Sequence, residues 1–196
     1  MLQEQKEYLD EYGDVPINSV ERVDYLLSTL SLFRAKTSVY DEIKRIGNIQ
    51  WKELSYTIYM VPKGTPRPRL GMNGVFYVKG AKNNKKLFQK FIEQQDMPMI
   101  RTPIKFYCSC YLPIPKSMSS VEKVVAELGF IRPISKPDWD NLAKTYCDMI
   151  QDSLIYDDSL IIEGSTKKFY SIKPRIEIRL LYAEEYDCSF NRKKMK

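Results

Sequence analysis

The stretch Lys136-Pro137-Asp138-Trp139-Asp140-Asn141-Leu142-Ala143-Lys144 constrains the fold of this chain more than any other. Pro137 steers Lys136 away from helical backbone angles, so the chain arrives extended and a helix starts only after it. Leu142, Tyr146, Met149 and Ile150 then recur at helical spacing and require an apolar surface to cover them. Asp140, Lys144 and Asp148 recur at four-residue steps and form a polar face on the same helix. A loop follows, closed by Tyr156-Asp157-Asp158-Ser159 just before the aliphatic run Leu160-Ile161-Ile162. A helix with one wet and one dry side must therefore pack on a sheet, with carboxylates at both ends of the connection.

Those carboxylates carry a chemical expectation. Asp138 and Asp140 can converge only if Asp138 still belongs to the extended lead-in, where residues two apart share a side. With the Asp157-Asp158 pair, three or four carboxylates would meet at one spot. Two like charges 4 Å apart repel by about 4 kcal/mol at an effective dielectric near 20, so such a cluster calls for a cation. Carboxylate oxygens are hard ligands suited to Mg²⁺ or Mn²⁺. Such an ion serves phosphodiester hydrolysis without a histidine base. Lys144, one turn beyond Asp140, is placed to meet the scissile phosphate, and Asn141 to hold a ligand carboxylate or a phosphate. Ordinary roles compete with each assignment. Asp138 and Asp140 suit helix capping, Lys144 suits an i,i+4 ion pair, and Asp157-Asp158-Ser159 suits a turn. Their co-occurrence with a basic segment favours the metal site.

Composition narrows the chemistry. The chain has no histidine, which removes Ser-His-Asp and Cys-His catalysis and histidine-ligated zinc. Cys108 and Cys110 share a face of a strand-like run and read, with Cys147 and Cys188, as reduced thiols. The formal charge is +6 and uneven. No acidic residue occurs from Leu54 to Ile92, a window that holds Lys63, Arg67, Arg69 and five further lysines. That asymmetry suits a polyanion. Prolines hold Arg67 and Arg69 on an extended ribbon, and arginine forks onto phosphate oxygens. Lys63, Arg67, Arg69, Asn141, Lys167 and Lys168 are the candidate DNA contacts.

Residues 1–50 read as an acidic helical extension, with Val20, Val23, Leu26, Leu27, Leu30 and Phe33 at helical spacing. Residues 51–196 read as the body. Strands are expected from Leu54 to Val61, at Val75–Val78 after an Asn73-Gly74 turn, at Ile104–Leu112, at Leu160–Ile162 and at Ile176–Leu181, with Lys167 and Lys168 between the last two. Helices are expected over 82–95 and from Ser119 or Ser120 to Leu128. The class is α+β, a small mixed sheet packed with helices. No apolar run is long enough to span a bilayer and the N-terminus lacks a signal-peptide order, so the expectation is a cytoplasmic protein without a membrane partner.

Lys136-Pro137-Asp138-x-Asp140-Asn141-Leu142-x-Lys144, then Asp148, then Asp157-Asp158 and an aliphatic strand, resembles the RusA family of Holliday junction resolvases. The resemblance reaches upstream to Pro66-Arg67-Pro68-Arg69 and downstream to Lys168-Phe169-Tyr170, covering roughly residues 54–183. It implies a homodimeric, Mg²⁺-dependent endonuclease that binds four-way DNA junctions and cuts opposing strands symmetrically, of a kind often carried by phages and prophages. It also implies Asp138, Asp140 and Asp158 as the essential carboxylates and Lys144 as the essential lysine; Asp158 aligns better than Asp157. The segment before about residue 50 and the insert from Lys116 to Ser135 depart from the compact family pattern. Two readings stand beside it: a non-catalytic nucleic-acid-binding protein with structural carboxylates, and a protein-interaction module built on the N-terminal helices.

Overall fold

The structure, a computed structural model, describes residues 20, 22–65, 69–71, 74–76, 90–92 and 99–186. Arg67, the Asn73 turn position, most of the helix expected over 82–95, and Cys188 with the basic tail lie outside the described residues. The chain forms two compact units, residues 1–49 and 50–196.

In the first unit, α1 (Arg22–Thr29) and α2 (Lys36–Gly47) flank a short 3-10 turn, Phe33–Ala35. Val23 and Leu27 are buried, whereas Val20, Leu26 and Leu30 of the same expected stripe are exposed. Two helices of 8 and 12 residues offer too little surface to cover all of it. An exposed ion pair at 2.7 Å, Lys36 to Asp24, links them.

The second unit contains β1 (Trp51–Ile58), β2 (Arg69–Gly71), β3 (Gly74–Phe76), β4 (Ile104–Pro113), α3 (Ser120–Glu127), α4 (Trp139–Ile150), β5 (Ile161–Ser171) and β6 (Arg175–Ala183). β2 and β3 pair as a small antiparallel ribbon. The main sheet has the order β1-β6-β4-β5. β6 is antiparallel to both its neighbours, and β4 and β5 are parallel. The sheet is therefore mixed and the class α+β, as expected.

β4 alternates strictly, with Ile104, Phe106, Cys108, Cys110 and Leu112 buried. Ile176, Ile178 and Leu180 of β6 lie in the same core, and α4 covers it with Leu142, Tyr146, Met149 and Ile150. Cys108 and Cys110 are free thiols with their sulfurs 3.7 Å apart. α3 opens on a capping box, the Ser119 side chain accepting from the Glu122 N–H while Glu122 accepts from the Ser119 N–H. The outer strand corrects one expectation. β5 continues to Ser171, so Lys167 and Lys168 lie within it rather than between strands. Only Thr166 and Ser171 of β5 are buried, which leaves no apolar alternation for a sequence reading to detect. Among the described residues, no helix is long and apolar enough to cross a membrane.

The alternation makes a direct prediction. Ile178→Ala, at a 1% exposed position, is expected to cost about 2–5 kcal/mol in urea denaturation. Ile162→Ala, at a 62% exposed position, should stay within about 0.5 kcal/mol.

Candidate active site

α4 places the acidic residues. Asp138 is its N-cap, with φ −66° and ψ 147°, so it belongs to the extended lead-in. Its side chain makes no capping hydrogen bond. The ordinary role for an aspartate here is thus unfilled, and the carboxylate is left for other partners. Asp140 follows in the first helical turn. Lys144 pairs with Asp148 rather than Asp140, at 3.4 Å, with the lysine side chain 73% exposed. So exposed a pair contributes about 0.3–0.5 kcal/mol and leaves the amine accessible.

Three side-chain clamps tie the lead-in to β5. Lys168 donates from Nζ to the carbonyls of Ser135 (2.7 Å) and Pro137 (2.8 Å). Arg132 donates from Nε to the Lys168 carbonyl (2.6 Å) and lies 3.7 Å over the Phe169 ring. Trp139 donates from its indole N–H to the Thr166 carbonyl at 2.6 Å. Thr166 and Lys168 are two apart on the outer strand of the sheet, so the carbonyls they offer face the same open edge. Lys168, expected among the DNA contacts, thus holds the backbone immediately before Asp138. Arg132 and Trp139 carry no motif signal of their own, and their clamping was not legible in the sequence.

The other side of α4 anchors the basic loop after β1. The Lys63 N–H donates to the Tyr146 hydroxyl (3.1 Å) and the Thr65 N–H to Thr145 Oγ1 (2.7 Å). Asn141 Nδ2 donates to the Thr65 carbonyl at 3.1 Å. Between them, Gly64 comes so close that a Cβ there would collide with the Asn141 amide. Lys63 is exposed, with no side-chain partner among the described residues. One helix therefore bears the aspartates and docks the loop that carries Lys63. Asn141, expected to meet a phosphate or a ligand carboxylate, bonds that loop. Tyr146 and Thr145 do the same, and Tyr146 was legible only as part of the apolar stripe. Arg69 lies in β2, Arg67 outside the described residues, and Lys167 on the sheet face turned away from α4.

The second acidic pair divides its work. Asp157 caps the short 3-10 turn Asp158–Leu160, accepting from the Ser159 N–H at 2.8 Å, which holds its carboxyl below the usual range. Asp158 makes no such bond among the described residues. Burial, together with the charges of Asp148 and Asp158 and against that of Lys144, pushes the Cys147 thiol up to about 11. Asp158 therefore lies within electrostatic reach of Cys147, which is about 10 Å along the helix axis from Asp140. Asp138, Asp140 and Asp158 supply hard oxygen donors of the kind Mg²⁺ or Mn²⁺ takes. Among the described residues, no three Asp, Glu or Cys side chains converge closely enough to hold an ion. Carboxylates brought together without a counter-charge repel by about 4 kcal/mol per pair at 4 Å, which favours a spread arrangement.

Against this geometry, the family model described as endodeoxyribonuclease RusA matches residues 60–181. The chain belongs to the RusA endodeoxyribonuclease family. The match spans the Lys63 loop, the clamped lead-in, α4, Asp158 and all but the last residues of β6. The chain is also 32% identical over 134 residues to the uncharacterized protein YqaN of Bacillus subtilis (strain 168), an alignment covering 65% of this chain and 94% of YqaN. Residues 1–49 lie outside the family match.

Two measurements check the arrangement. In a Cys188→Ser background, Asp158→Asn should lower the Cys147 pKa and speed its alkylation by iodoacetamide at pH 9 at least twofold; removing a nearby negative charge eases thiolate formation. Asp138→Asn should leave that rate unchanged. Lys168→Met should cost about 1–3 kcal/mol in urea denaturation, from two lost charge-assisted bonds to carbonyls. Lys167→Met, whose amine has no partner among the described residues, should stay within about 0.5 kcal/mol.

Proposed function

We propose that the chain is a Mg²⁺-dependent, structure-selective endonuclease that resolves four-way junctions or other branched DNA by phosphodiester hydrolysis, working as a homodimer. The observation that carries this reading is α4 itself. It presents Asp138 without a cap bond, Asp140 and Lys144 on one side, and docks the Lys63 loop along another. Membership of an endodeoxyribonuclease family supports the reaction class.

Asp138, Asp140 and Asp158 would hold the ion, with Asp158 favoured over Asp157 because Asp157 is engaged as a cap. Mg²⁺ held there would supply Lewis-acid polarisation of the phosphate and activation of the attacking water. The chain's own residues do the positioning. Lys144, exposed and only weakly paired, binds a non-bridging phosphate oxygen and offsets charge as the bond breaks. Lys63 meets a neighbouring phosphate. Lys168, Arg132 and Trp139 act through the backbone: they hold the lead-in so that Asp138 stays extended beside Asp140. In a homodimer, two such sites cut opposing strands.

The alternative of a non-catalytic DNA-binding protein needs the aspartates as caps. Asp157 fits that role and Asp138 does not. The deciding experiment compares four-way, three-way, flap and linear DNA on a gel, with Mg²⁺ and with EDTA. Cleavage of branched forms in Mg²⁺ only is expected. Asp140→Asn should abolish it, a loss above about a hundredfold, while binding persists. Equal cutting of linear duplex would defeat structure selectivity, and no cutting of any form would favour the non-catalytic reading.

A further inference from the structure

The face of the main sheet turned away from α4 is grooved. On β4, Tyr107, Ser109 and Tyr111 point out on that face, opposite the buried positions of the strand. Strand register lines up three rows across the sheet. One row holds Ser55, Arg179, Tyr107 and Ser165; the next holds Thr57, Glu177, Ser109 and Lys167; the third holds Arg175, Tyr111 and Phe169. The outer rows are tall. Arg179 lies 4.8 Å over the Tyr107 ring. Arg175 lies 3.6 Å over Tyr111, which stacks on Phe169 at 5.0 Å and 15°. The middle row is short at Thr57 and Ser109, with Glu177 between them and Lys167 at the outer end. The result is a trough crossing the strands, its ridges about 13 Å apart at the rise of an extended strand. A cavity of about 310 Å³ opens on the Tyr107 side of the trough, lined by residues of the first and middle rows.

The charges in the trough are unequally engaged. Glu177 is offset by Arg175 Nε at 2.7 Å and by the Tyr111 hydroxyl at 3.0 Å. Besides the Tyr107 ring, Arg179 has a loose pair with Glu53, at 3.6 Å, with its side chain half exposed. Lys167 is exposed and has no partner among the described residues. The groups left without a close counter-charge are thus two cations, beside several hydroxyls, a donor set matched to phosphate oxygens; the Glu177 carboxylate also lines the cavity, with Arg175 as its counter-charge. Lys167 and Lys168 are consecutive on the outer strand β5 and point to opposite faces. Lys168 reaches the lead-in of the acidic residues, and Lys167 reaches the trough. Only the thickness of the sheet edge separates the two surfaces.

We infer that the trough carries the phosphate backbone of one arm of branched DNA, with Lys167 and Arg179 as its cationic contacts, while a second arm lies at the acidic face. This rests on the endonuclease reading and adds to it a physical basis for structure selectivity. Duplex DNA is stiff over about 150 base pairs, so a linear molecule does not fold round the edge of one sheet. A branched molecule already has arms that diverge, and it engages both faces at once.

The test uses the full chain carrying Asp140→Asn, so that binding is read without cleavage. Fluorescence anisotropy compares a four-way junction with a linear duplex of equal length over a range of salt. Lys167→Glu with Arg179→Glu is expected to weaken junction binding at least tenfold. It should also reduce the slope of log affinity against log salt by about 2. Linear duplex binding should change less than threefold. Ser109→Tyr, which fills the trough without changing charge, should act in the same direction, and circular dichroism and melting report that each variant is folded. Unchanged junction affinity and slope in folded variants would overturn the trough, as would equal losses for linear and branched DNA. Binding of free dAMP that the variants abolish, with junction binding intact, would also overturn it. Cleavage of junctions by the unaltered chain separates the two claims. If it cuts them while the trough variants bind normally, only the trough fails; if it neither binds nor cuts branched DNA, both fail.

Discussion

The contact between α4 and the β4–β6 face is the constraint on which the rest of this domain depends. Leu142, Tyr146, Met149 and Ile150 are buried there against Phe106, Cys108, Cys110, Ile176 and Ile178. Side chains of this size contribute about 1.5–3 kcal/mol each when fully covered. The contact does more than stabilise. Because 3.6 residues complete a turn, fixing one side of the helix fixes the direction of every other side. With the apolar stripe down, Asp140 and Lys144 are out, and Asn141 and Thr145 meet the loop that carries Lys63. The chemistry of the surface is thus set by the packing beneath it.

The outer strand supplies the second constraint. β5 ends the sheet, and an uncovered edge leaves backbone acceptors open to pairing with another chain. Here Trp139 and Arg132 donate to the Thr166 and Lys168 carbonyls. The same bonds hold the segment that delivers Asp138 to the helix start. Edge protection and site positioning are therefore one device. It explains why a tryptophan sits between two aspartates while remaining 56% exposed: its indole N–H has a structural partner, and its ring is not part of the core.

Much of the domain was legible in the residues. The alternation of β4 and the helical stripe of α4 are strong periodic signals, and both elements form where those signals lie. The helix start just after Pro137 follows from local sterics, and the extended Asp138, which convergence with Asp140 requires, is what the structure has. Less was legible where local signals are weak. β5 has two buried residues in 11, so its length is decided by the strand beside it and not by its own pattern. Lys168 reads as a surface cation in any sequence window. Its partners, Ser135 and Pro137, are 33 and 31 residues away. Tyr146 reads as apolar, yet its hydroxyl accepts from the Lys63 N–H, 83 residues earlier.

The sequence by itself determined the residue types available for chemistry. It offers carboxylates, lysines and amides without any histidine, and it orders them along a helix whose dry side demands a sheet. Periodicity and proline sterics act over a few residues, so they can be read from a few residues. Only the tertiary structure decided which groups remain accessible. Asp157 becomes a cap and Asp158 does not; Lys168 becomes a clamp, while its neighbour Lys167, on the opposite face, has no partner among the described residues. Those outcomes depend on hydrogen bonds and strand register between segments distant in the chain, and no local window contains both partners.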